Sequence, residues 1–398
     1  MKHKKQILIF SFIYVLIYGS YAIGTTQFVP YLTSLGYTAV ERGLLFSSIA
    51  IVTIISQMIF GLLSDKYNTV KRLYIMALLV FAVASYLFYD IQVKSFLLHL
   101  VVLSLLGGFF NLSMGMGDSW ILEAQEEVRK VYSFIRAFGS LGWAIGSIAV
   151  SYIISRLGYY ALGALVMLIA AIALGLALLL KDASKRYVVD RKAITKEDIK
   201  ELCSNKAYLL VVFILFLLIC VNTFSVYTVI DKLVFIGATN RDIGILWTIK
   251  AIVEVPIFFI GTFLLRKFKA KGLLKISAFM VTVQFLLWGL STKVNTMLVI
   301  ASMQIFTYPL IIMASKTLID ELSSDSCKST GQLLAMSIYS GLSGLIIPYL
   351  SGILSAAFTI NFTLYFAAFL GGVAYILTFF VKKRFCYRTK NIIKNETT

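Results

Sequence analysis

Charge is what this sequence has least of. Of its 398 residues only 14% are Asp, Glu, Lys or Arg, while 59% are hydrophobic; soluble domains carry roughly a quarter charged residues. There is too little polar surface to cover a water-soluble globule, so the chain reads as an integral membrane protein. Histidine and cysteine are also scarce. His3 and His99 are far apart, and Cys203, Cys220, Cys327 and Cys386 are scattered, so neither a disulfide framework nor a metal site is expected, and no cofactor. The sequence has no P-loop or nucleophile elbow either, which argues against an enzyme.

Acidic residues are the scarcer sign, 19 against 37 Lys and Arg, for a net charge of +18. In a soluble protein that excess would raise the question of nucleic acid. Here the basic residues fall in short loops between apolar runs, where membrane topology and anionic lipid headgroups account for them. No nucleic-acid partner is expected.

What the chain has in abundance is apolar length. A hydrocarbon core of roughly 30 Å needs about 20 helical residues, and about twelve stretches qualify: 7–29, 43–63, 73–89, 95–118, 132–155, 159–180, 208–230, 242–265, 273–291, 295–317, 331–354 and 363–381. The basic start MKHKKQILIF is that of a signal peptide, but its apolar run continues through Tyr21 without a clean cleavage site, so an uncleaved first span is expected. With both termini inside, the inner segments hold about 28 of the 37 Lys and Arg residues and the outer loops about six. The expected fold is therefore an all-α membrane protein of about twelve transmembrane helices in two six-helix halves, 1–180 and 207–381. A basic cytoplasmic linker, 181–206, joins them, and a basic tail, 382–398, follows. Thr195 and Asp198 suggest a short amphipathic helix within the linker.

Six plus six spans, a basic central segment and inner termini resemble the plan of the major facilitator superfamily over nearly the whole chain. The best local marker is the loop after span two, Gly61-Leu-Leu-Ser-Asp65-Lys66-Tyr-Asn-Thr-Val-Lys71-Arg72. It resembles the superfamily's G-x-x-x-D-R/K-x-G-x-K/R-K/R gating loop, whose second glycine falls at Asn68 or Thr69 here. Gly61 would permit close helix contact, and Asp65 could pair with a cation or a helix N-terminus. The corresponding loop of the second half, residues 261–271, keeps the basic residues and lacks the aspartate.

The most informative stretch is 118–147, DSWILEAQEEVRKVYSFIRAFGSLGWAIGS. An arginine at mid-membrane costs about 2.5–3.5 kcal/mol on insertion scales, so Arg136 needs compensation. At helical spacing Arg136, Ser140, Trp143 and Ser147 share one face, beside a smooth stripe of Gly139, Gly142 and Gly146. One face suits a polar ligand, and the other suits a closely packed helix. The segment from Arg136 to Ala144 resembles the fifth helix of the lactose permease family and its nucleoside and oligosaccharide proton-symporter relatives, in which an acidic residue precedes the arginine by eighteen positions, here Asp118. The resemblance implies that Asp118 and Arg136 bind sugar hydroxyls and that Trp143 stacks on a pyranose ring. A structural ion pair and an interface tryptophan are the plainer alternatives. The stretch 18–43 resembles the opening segment of the same family, with Tyr18, Tyr21, Thr25 and Gln27 as candidate cavity residues.

In span eight, Lys250 and Glu254 lie four apart and Pro256 frees the Ile252 carbonyl, which predicts a kink beside the acid. Glu254-Val-Pro resembles an E-V/I-P motif of the broader family. A carboxyl group whose proton affinity responds to substrate or to a displaced cation can carry a proton. Glu254 is the first candidate for coupling and Asp118 the alternative, with Lys250 as counterion. The His and Glu that lactose permease carries on span ten fall at Gln304 and Thr307, and its span-nine arginine at Gln284, so its proton relay is not expected in the same form.

The resulting expectation is a monomeric secondary transporter of the plasma membrane with cytoplasmic termini. It would take up a sugar or oligosaccharide with H+, in contact with membrane lipid. A nucleoside symporter and a proton-driven exporter of amphipathic compounds are the alternatives within transport. A sensor on the same scaffold would need a partner surface beyond the short tail.

Overall fold

The computed structural model describes residues 2–182, 202, 204–323 and 328–381. The amphipathic stretch anticipated around Thr195 and the basic tail lie outside the described residues, as do Cys203, Cys327 and Cys386. Among the described residues every regular element is helical.

The first half comprises α1 (Lys2–Thr25), α2 (Phe28–Ser34), α3 (Ala39–Tyr67), α4 (Lys71–Asp90), α5 (Phe96–Leu122), the short α6 (Glu126–Arg129), α7 (Tyr132–Leu157) and α8 (Tyr160–Leu178). The second comprises α9 (Lys206–Phe235), α10 (Asn240–Phe259), α11 (Gly261–Leu290), α12 (Val294–Ala301), α13 (Tyr308–Leu322), α14 (Lys328–Met336), α15 (Ser343–Ala357) and α16 (Ile360–Phe380). Eleven helical spans are long and apolar enough to cross a membrane. The twelfth expected span is α10, whose twenty residues include Arg241, Asp242, Lys250 and Glu254.

Span ten, anticipated as continuous, is interrupted, and span eleven, in which the SGLSG stretch and Pro348 predict a bend, changes its helical form. Span ten breaks between α12 and α13, through a 3-10 turn at Ser302–Phe306 and a non-helical Thr307 (φ −111°, ψ −96°). Pro309, with no N–H to donate, sits in the first turn of the half-helix that follows. Span eleven passes from α14 to α15 through a π-helical turn at Ser337–Leu342, an insertion frequently found at functional sites.

The halves repeat one another in their details. Gly36 (φ +81°) and Gly237 (φ +85°) make the turns that end the first span of each half. Thr38 then caps α3 in a capping box with Glu41, and Thr239 caps α10 in the same way with Asp242. The next turns, at the end of the molecule that carries the termini, contain Asn68 (φ +47°) and Lys269 (φ +59°). Each of these four pairs is offset by 201 positions. Packing follows the same repeat: α1 lies on α7 and α8 as α9 lies on α15 and α16, and α4 lies on α8 as α11 lies on α16. Contact between halves runs chiefly through α3 with α15 and α7 with α10.

Glycine permits the closest approaches. A Cβ at Gly142 would strike the Val15 carbonyl oxygen, and one at Gly146 that of Gly19, so the anticipated stripe is what seats α7 on α1. At the end away from the termini, a Cβ at Gly43 would lie 2.5 Å from the Pro348 oxygen, and Gly352 and Gly244 abut Ala39 and Ser147. The halves are sealed there. Toward the termini α7 and α10 diverge around a groove of about 460 Å³.

Candidate functional site

Between the halves, the first contributes a set of linked aromatic and charged side chains. The Arg136 guanidinium lies over the Tyr18 ring, 4.5 Å from its centroid, an attraction between cation and ring face. Gly139 makes this possible, because a Cβ there would come within 2.9 Å of Tyr18 and 3.0 Å of Arg136. Asp118 accepts a hydrogen bond from the Tyr14 hydroxyl at 2.5 Å. Ion pairs between described side chains include Arg42–Asp231, Lys94–Glu41 and Lys130–Glu126, and none joins Asp118 to Arg136. Asp118 and Arg136 therefore share a site without forming a direct pair, and Tyr132 lies within electrostatic reach of both.

Trp143 meets Tyr21 edge to face at 5.8 Å and, across the boundary between halves, Trp247 at 5.9 Å. Tyr21 in turn stacks on Phe110. The rest of the anticipated polar face divides. Ser140 lines the groove with Phe134, Phe138, Leu141, Val255 and Phe259, and the Ser147 hydroxyl is buried without a partner.

In the second half, the Gln304 amide donates to Glu254 Oε1 at 2.9 Å. The broken span ten brings it there, and the Thr307 hydroxyl donates back to the Gln304 carbonyl at 3.3 Å. Lys250 donates to Ser225 Oγ at 3.0 Å and lies 4.6 Å from the Trp247 ring centroid. The anticipated Lys250–Glu254 pairing is thus electrostatic, with each group holding a different direct partner. Gln284 donates to the Ile300 carbonyl and so braces the half-helix α12. Asn111 donates to Thr53, joining α5 to α3.

Other expectations need correction. Gln27 is fully buried in the sealed end, where its amide donates to the Asn240 carbonyl at 3.3 Å; it belongs to the seal and not to a cavity wall. Tyr159 reaches the Asn240 side chain at 3.1 Å. A Cβ at Gly61 would meet nothing within 4 Å, so this glycine makes no close helix contact. The Asp65 side chain lies outside the described residues. Asn68, with its positive φ, is the residue that replaces the loop's second glycine, since asparagine tolerates the left-handed region better than threonine. Lys66 lies beside the Tyr67 ring. Lys71 caps α8 by donating to the Leu178 and Leu180 carbonyls, as Lys271 caps α16 at Val381. The Arg72 amide donates to Thr69 Oγ1 at 3.4 Å. The acceptor at the N-terminus of α4 is Asp182, which takes the Val70 and Lys71 amides at 3.1 and 2.9 Å.

The sequence reading did not find the Arg42–Asp231 pair. Both side chains are nearly buried, 9% and 13% exposed, and Arg42 also donates to the Tyr37 carbonyl at 2.8 Å. The pair joins α3 to α9 across the halves. A charge near the end of each span was the only local signal. Among the described residues no group of three or more His, Cys, Asp or Glu gathers to hold a metal.

A family model described as the MFS_1 like family matches residues 7–366. The chain belongs to that family. Among curated relatives, an uncharacterized transporter of Bacillus subtilis, YwbF, is 27% identical over 59% of this chain and 59% of its own. Xanthosine permease of Escherichia coli is 22% identical over 89% and 88%. Lactose permease of Klebsiella oxytoca is 22% identical over 78% of each. Among solved structures, that of the nucleoside transporter NupG superposes with a TM-score of 0.80 at 15% identity, covering 97% of this chain and 100% of its own. The chain is therefore a multi-pass secondary transporter with the major facilitator fold, and the curated relatives named here are a transporter and two permeases.

Proposed function

We propose that the protein takes up a sugar or oligosaccharide together with H+ by alternating access. It acts in the plasma membrane as a monomer, with both termini cytoplasmic and lipid around its spans. Residues 1–180 and 207–381 rock as two bodies, joined by the linker 181–206, with 382–398 as a basic cytoplasmic tail. Asp118, Arg136, Trp143 and Tyr18 are its substrate residues, with Ser140 at the edge of the site. Glu254 is the coupling acid, with Asp118 the alternative and Lys250 beside it. The loop of Gly61, Asp65, Lys66, Lys71 and Arg72 acts as a gating loop.

The observation that carries this reading is the convergence of both halves on one space. The first half brings Arg136 on Tyr18, Asp118 on Tyr14, and Trp143; the second brings Trp247, which Trp143 meets, and Glu254 with Gln304, within electrostatic reach of Arg136. Forked donors, a carboxylate acceptor and ring faces are what a solute with several hydroxyls and an apolar C–H face requires. Kinship with a lactose permease supports sugar. Kinship with a xanthosine permease supports the second reading, a nucleoside. The apolar groove between α7 and α10 is what favours a third, export of an amphipathic compound.

Uptake of labelled sugars and nucleosides into proteoliposomes, with and without an inward proton gradient, tests this. Gradient-driven accumulation of a sugar is expected. Accumulation of nucleosides alone moves the assignment to the second reading, and movement of neither class removes both.

A further inference from the structure

Lys250 is an under-satisfied charge among the buried groups at the centre. Asp118 has Tyr14, Glu254 has Gln304, Arg136 has the Tyr18 ring, and Arg42 has Asp231. Lys232 is buried to a similar degree, yet it donates to two carbonyls, Trp288 at 2.6 Å and Gly289 at 2.8 Å. Lys250 is 5% exposed and has one neutral hydroxyl, Ser225 Oγ, plus the face of Trp247. An ammonium carries three donors, and a buried charge without an opposite charge or a full set of hydrogen bonds is costly. Glu254, one turn along α10, interacts with Lys250 electrostatically but makes no direct ion pair with it, and its own hydrogen bond comes from Gln304.

A second donor lies on the same turn. The indole N–H of Trp247 is buried with no hydrogen-bond partner, and its ring meets Trp143 at 5.9 Å. Two under-used donors, one of them cationic, thus sit beside the residues assigned to the solute. The charge balance points the same way. With a proton on Glu254, the set Asp118, Arg136 and Lys250 carries one net positive charge, which one carboxylate cancels.

We infer that Lys250, together with the Trp247 indole N–H, forms an acceptor subsite for a carboxylate on the transported solute, so that the preferred substrates are acidic glycosides or nucleoside acids and not their neutral counterparts. This rests on the central space being the solute site, as proposed above. Such a carrier moves one anion with one proton.

The test is calorimetric binding to the purified full chain, using two matched pairs: methyl glucuronide against methyl glucoside, and adenosine-5′-carboxylate against adenosine. The acid member of at least one pair is expected to bind about tenfold or more tightly, a typical effect of a charge-assisted hydrogen bond. In Lys250→Met, an apolar replacement of similar length, the two members should converge in affinity; in Lys250→Arg the acid should keep its advantage. Equal affinities in the wild type overturn the inference and leave the transport reading standing, whatever the variants do. An acid preference that survives Lys250→Met also overturns it. If none of the four binds, both readings fall.

Discussion

Gln304 donates its amide to Glu254 across 50 positions of sequence, and it makes the 2.9 Å contact from within the 3-10 turn that breaks span ten. The contact places a non-titrating amide against the acid proposed to carry the proton. The acid therefore works without a titrating partner in direct hydrogen-bond contact.

Glu254→Gln should separate exchange from accumulation. The variant keeps the Gln304 contact in neutral form, so substrate exchange across proteoliposomes should continue, while uptake driven by a proton gradient should fall to the level seen without one. Normal gradient-driven accumulation would remove Glu254 from the coupling role.

Arg136→Lys is expected to fail nearly as badly as Arg136→Ala. A lysine offers a point charge where the site uses a planar fork stacked on Tyr18. Loss of that geometry should weaken substrate binding by about tenfold or more, or roughly 1.4 kcal/mol. Binding restored by lysine would mean that charge alone matters.

Removing either partner of Arg42–Asp231 should open the sealed end. Breaking a nearly buried pair leaves a lone charge, a penalty of about 3–5 kcal/mol that water entering the seal would relieve. In Arg42→Ala, a cysteine introduced at Phe46, which stacks on Tyr227, should react faster with a membrane-impermeant thiol reagent applied from outside. The exchange Arg42→Asp with Asp231→Arg should slow the reaction again. Unchanged reactivity in both single variants would show that the pair does not hold the seal.

Glycines of the two motifs should differ in their tolerance. Gly142→Leu drives a side chain into the Val15 carbonyl and should lower thermal stability by about 1–3 kcal/mol or abolish folding. Gly61→Ala has open space and should be stable. Asn68→Val should cost about 1–2 kcal/mol because of its left-handed backbone, whereas Asn68→Gly should not. Fluorescence-detected melting of the four variants in detergent checks the ranking.

Some of the site was legible because it is local. Arg136, Trp143 and the glycine stripe lie within one helix, so spacing alone put them on adjoining faces. The repeat of G-x-T-x-x-E at Gly36 to Glu41 as G-x-T-x-x-D at Gly237 to Asp242 was also open to inspection, and it would have aligned the halves without any structure. Misplaced residues had ambiguous local patterns. Gln27 has the composition of a cavity residue, and only the approach of Asn240 from the other half makes it part of the seal.

The sequence by itself determined that this is a membrane protein with about twelve spans, and it named the helices that carry charge into the bilayer. A hydrocarbon core imposes length and polarity on each helix separately, so that information is complete within about twenty residues. The tertiary structure alone decided which group each charge meets: Tyr14 for Asp118, Gln304 for Glu254, Asp231 for Arg42 and Ser225 for Lys250. Those partners lie between 25 and 189 positions away, on other helices. Hydrogen bonding demands contact within about 3 Å, a condition that helical periodicity in one segment cannot specify for another.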